Sequence, residues 1–204
     1  MGRAESLLRG RRGGRPRWRR NLRGGGRPAP GGRGRRGAVT IVRPAEPRDA
    51  SGLVALAREV GGETEGWLIT NGTWRSPLEE RRYLRALRRF RDAAVLVAED
   101  DGVIVGRLSV SRDPHPASSH VADLGLMVAR SHRRQGIGRA LMQAAEEWAR
   151  ETGISKLELH VFTHNRPAIA LYESLGYARE GVRRGHYRRG GALVDAVLMA
   201  KEVL

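Results

Sequence analysis

The residues with the most direct chemical meaning lie in one turn, Arg133-Arg134-Gln135-Gly136-Ile137-Gly138-Arg139. The first amides of a helix have no intrahelical acceptor and sit at the positive end of its dipole, so a helix that opens here offers donors to an anion. Gly136 and Gly138 carry no Cβ, which lets a pyrophosphate approach the backbone, and Arg133, Arg134 and Arg139 bring positive charge to the same place. An anion is the expected guest. No Gly-x-x-x-x-Gly-Lys occurs, which argues against a nucleoside triphosphate loop, and Gly136-Ile137-Gly138 lacks the third glycine of a dinucleotide fingerprint. A basic, glycine-bearing turn with no ligand is the plainer alternative.

The elements around the turn follow from periodicity. Leu124, Leu126 and Val128 alternate as in a strand, and Ile137, Leu141, Ala144 and Trp148 recur on one helical face. Upstream, Val39 and Ile41 predict a first strand ended by Pro44. Asp49 is placed to cap a helix bearing Leu53, Leu56, Ala57 and Val60, which stops at Gly61-Gly62. Ser76-Pro77-Leu78-Glu79 is a capping box that opens a second helix through Phe90, and the arginines of that helix form a solvated side. Ala94 to Glu99 and Val103 to Val110 are joined by an Asp-Gly turn and predict a hairpin. Downstream, Leu157, Leu159 and Val161 alternate with Glu158 and His160 as a fifth strand. Asn165 then caps a helix that ends at Gly176, and Glu180 to Tyr187 with Ala192 to Met199 form a closing hairpin.

Two motifs carry a resemblance. Arg133-Arg134-Gln135-Gly136-Ile137-Gly138 is similar to the Arg/Gln-x-x-Gly-x-Gly/Ala signature of the GCN5-related N-acetyltransferase (GNAT) family. The stretch from Asn165 to Tyr177 is similar to that family's Asn-x-x-Ala-x-x-Leu-Tyr-x-x-x-Gly-Phe motif, with Tyr177 in the Phe position. The motifs occur in family order, and the resemblance spans roughly Val39 to Leu204. It implies an α/β (α+β) fold: a mixed, mostly antiparallel sheet of six or seven strands, helices on both faces, and splayed fourth and fifth strands. Acetyl-CoA would lie in that opening as cosubstrate, with no metal. Its pantetheine arm would meet the backbone of Met127 and Val128 and also Asn165, and its pyrophosphate the amides from Gln135 to Arg139.

The implied reaction is attack of a primary amine on the thioester carbonyl. The amine has a pKa of about 10 and must lose a proton to a base. The Val128 amide would stabilise the carbonyl oxygen, and Tyr172 would donate to the departing thiolate. Tyr172 also has a packing reading against Ile169 and Leu175. The resemblance puts the base on the fourth or fifth strand, where Asp123, Glu158 and His160 stand. His160 as an ordinary strand residue, or a bound water as the base, fits equally. A small-molecule amine is the expected acceptor. The alternatives are a protein N-terminal acetyltransferase and an acyl-CoA-binding sensor without turnover, and a homodimer is common in the family.

Composition separates a tail from a domain. Residues 1–37 hold 13 Arg, 11 Gly and one Glu and so carry +12 of the formal net charge of +16. This segment has too few apolar residues to offset ordering and is expected to be disordered, with the acetyltransferase domain over residues 38–204. The tail reads either as a nucleic-acid arm, in which Trp18 stacks on a base, or as a solvated tail without function or upstream sequence taken in by a wrongly assigned start at Met1. Nucleic-acid binding rests on this tail alone. There is no cysteine, hence no disulfide or thiolate site, which is compatible with the expected cytoplasmic location. No apolar run of about 18 residues is present to span a membrane, and the N-terminus lacks the apolar core of a signal peptide.

Overall fold

The computed structural model describes residues 20–23, 39–69 and 74–203. Eight strands form one sheet in the order β1-β2-β3-β4-β5-β6-β8-β7. These are β1 (Arg20–Arg23), β2 (Val39–Pro44), β3 (Ala93–Asp100), β4 (Val103–Arg112), β5 (Val121–Val128), β6 (Lys156–Phe162), β7 (Ala178–Arg189) and β8 (Ala192–Glu202). Four helices accompany them: α1 (Ala50–Gly61), α2 (Pro77–Leu87), α3 (Ile137–Thr152) and α4 (Arg166–Ser174). Seven strands fall in the expected domain. The eighth, β1, comes from the Arg/Gly-rich segment and pairs antiparallel with β2, Arg20 against Val42 through Arg23 against Val39. Backbone pairing on an open sheet edge needs no apolar side chain, which is why composition did not predict it. The expectation of disorder for residues 1–19 and 24–37 lies outside the described residues.

Val95 and Val97 of β3 pack with Ala50 and Leu53 of α1 and Leu84 of α2, whereas Leu96 and Ala98 join the main core with α3. Helices therefore cover both faces. The β3–β4 turn uses Asp101 at φ 48° and Gly102 at φ 77°, the left-handed pair that suits a two-residue hairpin. Ser76 and Glu79 make both halves of the capping box, but α2 ends at Leu87, and Phe90 beyond it is 65% exposed. Asp49 precedes α1 without capping it through its side chain. Its carboxylate instead takes the Glu46 amide at 2.7 Å and both Arg43 Nη atoms at 2.7 and 2.8 Å, and Arg43 also binds Glu99. A buried arginine outcompetes a cap because it satisfies two carboxylate oxygens at once.

The fourth and fifth strands counted from Val39 are β5 and β6. They pair in parallel at only three positions: Val121 with Lys156, Ala122 with Leu157 and Asp123 with Glu158. Beyond Asp123, β5 pairs only with β4, through Val128 against Gly106, while β6 pairs only with β8. The sheet opens there.

Candidate active site

Peptide groups of β5 face the opening selectively. The Ala129 amide donates to Val105 O at 2.8 Å, so strand alternation puts the peptide groups of Met127 and Gly125 into the β4 ladder and those of Leu126 and Val128 towards the gap. Of the two expected backbone contacts, Val128 thus points into the opening. Leu126, which the sequence did not single out, joins it. The Val128 carbonyl accepts from Arg133 Nε at 3.0 Å.

The turn before α3 is built from left-handed residues, Arg134 at φ 63° and Gly136 at φ 84°. Gly136 is the N-cap and supplies no side-chain cap, and the first turn holds no acidic residue. The first intrahelical bond is Ala140 N to Gly136 O at 3.0 Å, so the amides of Ile137, Gly138 and Arg139 precede the ladder. A Cβ at Gly136 would meet nothing within 4 Å, and the space above this amide is open. Gly138 has a different reason to be glycine: a Cβ there would lie 3.0 Å from Leu171 Cδ2 of α4 and 3.6 Å from Leu126 Cδ2. Its absent side chain lets α3 pack closely on α4 and β5.

The basic residues of the turn divide. Arg133 makes a bidentate pair with Glu63 at 2.8 and 2.6 Å in addition to its bond to Val128, so it fastens the turn to β5 and to the segment after α1. Gln135 Nε2 donates to Ser131 O at 3.0 Å, and Arg139 Nη2 to Ser174 Oγ at 2.9 Å. Arg134 is exposed and has no side-chain partner among the described residues. It is the turn's one arginine without such a bond.

Tyr172 is 6% exposed on α4 and packs beside Tyr177, ring centroids 6.1 Å apart. Burial raises its pKa well above the ordinary phenol value, so its hydroxyl stays protonated at neutral pH. Asn165 Oδ1 caps α4 by accepting the Ala168 amide at 3.2 Å, as expected.

Asp123, Glu158 and His160 lie on one sheet face where β5 and β6 part. Desolvation, then the neighbouring Glu158 carboxylate, push Asp123 up to about 6, while Arg183 pulls the other way. Asp123 keeps an exposed surface, and solvent screens part of these effects. His160 Nδ1 is 2.7 Å from Tyr187 Oη, and its Nε2 is buried with no partner among the described residues. Burial, Arg183 and His186 all lower its pKa, which keeps the ring neutral. Tyr187, His186 and Arg183 come from β7, and the sequence offered no local signal for them, because a register 27 residues away brings them to His160. Further along β6, Phe162 stacks on His164 at 5.3 Å, and His164 on Trp67 at 6.0 Å. Tyr172 and Tyr177 belong to the core with Leu157, Leu159 and Val161, on the other face of β6 from Glu158 and His160. Among the described residues no group of three His, Cys, Asp or Glu is placed to hold a metal. Nor is any helix long and apolar enough to cross a membrane.

Comparison with known proteins gives consistent matches. The model of the acetyltransferase (GNAT) family matches residues 64–177. An L-amino acid N-acetyltransferase of Escherichia coli (strain K12) is 30% identical over 172 residues, covering 79% of this chain and 96% of that protein. The crystal structure of a GNAT-family acetyltransferase from Streptococcus pneumoniae superposes with a TM-score of 0.73 at 29% identity, covering 80% of this chain and 98% of that one. A protein from Salmonella typhimurium, solved with its cofactor acetyl-CoA, shares the fold at a TM-score of 0.72 and 18% identity, over 81% and 94% of the two chains.

Proposed function

Because the chain belongs to the GNAT family of acetyltransferases, we propose that it transfers the acetyl group of acetyl-CoA to the primary amine of a small molecule. The observation that carries this reading is the juxtaposition of two features. The gap between β5 and β6 presents the Val128 amide, and the uncapped N-terminus of α3 presents the amides of Ile137, Gly138 and Arg139. An extended thioester carrying a diphosphate fits both at once, the diphosphate on the helix amides beside Arg134 and the pantetheine arm along β5. The L-amino acid N-acetyltransferase is matched over 96% of its length and a ribosomal protein bS18-alanine N-acetyltransferase over 47% of its own, which favours a small amine.

In this reading the amine nitrogen attacks the acetyl carbonyl carbon. Its surplus proton passes to Asp123, directly or through a water, because a carboxyl near pH 6 is ionised at neutral pH yet basic enough to accept it. The carbonyl oxygen gains charge and is held by the Val128 amide. The C–S bond then breaks, and the protonated Tyr172 hydroxyl donates to the leaving sulfur. His160, held neutral and bonded to Tyr187, is a second route for the proton. Incubation with acetyl-CoA and a panel of amines, following thiol release, tests the reading. Release that depends on an amine supports it, and saturable acetyl-CoA binding with no release across the panel would assign the chain to acyl-CoA sensing instead.

A further inference from the structure

Arg107 is a buried charge to which the acetyl-transfer reading gives no task. It lies in the middle of β4, 7% exposed, and forms no ion pair among the described residues. Its Nε has no acceptor there, and its Nη1 reaches only Ser109 Oγ at 3.5 Å, the outer limit of a hydrogen bond. The Trp74 ring covers the guanidinium, with its centroid 4.8 Å from Cζ. Desolvation pulls the Arg107 pKa down against the attraction of Glu80 on α2. Glu80 is itself fully buried, accepts from Arg75 Nη1 at Oε2 at 3.1 Å, and leaves Oε1 without a partner among the described residues. A guanidinium has five N–H donors, and burying it with one weak bond is costly unless something else satisfies the rest.

The position of Arg107 says what that is. Arg107 and Ser109 share a face of β4, and the register sets them beside Met127 and Gly125 of β5, with Asp123 next along the same face. Gly125 is exposed in mid-strand, and a Cβ there would lie 3.5 Å from Ser109 Oγ. Between Arg107 and Asp123 the face therefore carries no side chain at Gly125, with Ser109 Oγ beside it. One end is a buried, under-bonded cation and the other a carboxylate.

We infer that the acceptor carries a carboxylate as well as its amine, and that Arg107, backed by Trp74, is the specificity-determining residue that binds it. The acceptor class is then a free amino acid. This rests on the acetyl-transfer reading and narrows it. A carboxylate entering here gives Arg107 charge-assisted bonds to Nε and Nη atoms while the amine faces Asp123. An amine lacking the carboxylate leaves the cation as unsatisfied as before.

Thiol release is measured with L-leucine, L-phenylalanine and 4-aminobutyrate, each beside its carboxamide, at equal concentrations of unprotonated amine. At least one acid is expected to exceed its amide in kcat/KM by roughly 10- to 100-fold. Arg107→Gln erases that preference through KM with acetyl-CoA affinity unchanged, and Arg107→Lys keeps part of it. Equal use of acids and amides, or a preference that survives Arg107→Gln, overturns the inference. So does an Arg107→Gln protein that loses stability and all substrates in proportion, which would make Arg107 and Glu80 a structural pair. If Arg107→Gln does not fold, fluorescence titration of the CoA-loaded wild type decides. A change with acids, absent with amides and abolished in Trp74→Phe, supports the inference, and no difference between acids and amides sinks it. That titration needs no turnover, so a failure of acetyl transfer itself is read separately, as absent thiol release from every amine.

Discussion

Replacing Asp123 by asparagine is expected to stabilise the protein while disabling it, and only at neutral to alkaline pH. The carboxyl of Asp123 is raised from 3.8 to about 6 by desolvation and then by Glu158. A folded-state value above the unfolded one means that the native protein prefers the protonated acid. Relative stability is thus intact below about pH 4 and is lost as pH rises through 6. A shift of about two units corresponds to ~3 kcal/mol in full, and the exposed surface of Asp123 reduces this to about 1–2 kcal/mol. For a chain of this size that is a rise in Tm of roughly 2–8 °C in Asp123→Asn at pH 8. Near pH 4 the wild-type carboxyl is protonated in the native state and about half protonated in the unfolded chain, so most of the gain is expected to vanish. Scanning calorimetry of both proteins at the two pH values reads the difference. In parallel, kcat/KM of the wild type should fall on the acid side with an apparent pKa near 6, and the variant should lose on the order of 100-fold. A stability gain equal at pH 4 and pH 8, or no gain at either, would refute the argument that Asp123 is held at an energetic cost for proton transfer.

Two further substitutions separate chemistry from packing. Tyr172→Phe keeps the buried ring and removes the proton donor, so kcat should fall on the order of 100-fold while Tm and acetyl-CoA affinity stay put; an unchanged kcat in single-turnover measurements would leave Tyr172 with a packing role only. Gly138→Ala meets the flexible ends of Leu171 and Leu126 and should cost within about 1 kcal/mol, whereas Gly138→Val should destabilise by about 1–3 kcal/mol in urea titrations. Equal stability of the two variants would contradict the close packing of α3 on α4 and β5.

Local signals were read well because each depends on residues near in sequence. The Ser76–Glu79 capping box, the Asp101-Gly102 hairpin, Asn165 at the start of α4 and the glycine-bearing turn before α3 each lie within a few residues of their partners. What escaped the sequence lies at long range. Arg133 looked like a phosphate ligand because Glu63, seventy residues away, could not be seen to claim it. Asp49 looked like a helix cap because nothing local revealed that Arg43 would turn inward to meet it. The His160–Tyr187 contact and the Trp74–Arg107 stack depend on strand register and on how α2 docks, neither of which leaves a periodic trace. Nor did periodicity reveal β1, whose pairing is carried by the backbone.

The central claim is that the start of α3 holds the diphosphate of an acetyl carrier whose thioester lies between β5 and β6. Isothermal titration with acetyl-CoA, and separately with S-acetylpantetheine, which lacks the diphosphate, tests it most directly. Saturable one-to-one binding of acetyl-CoA is expected, weakened at least tenfold for S-acetylpantetheine and likewise for acetyl-CoA in Arg134→Glu combined with Gly136→Val, roughly the loss of one charge-assisted anion contact. No heat with acetyl-CoA, or equal affinity for the two thioesters, would contradict it.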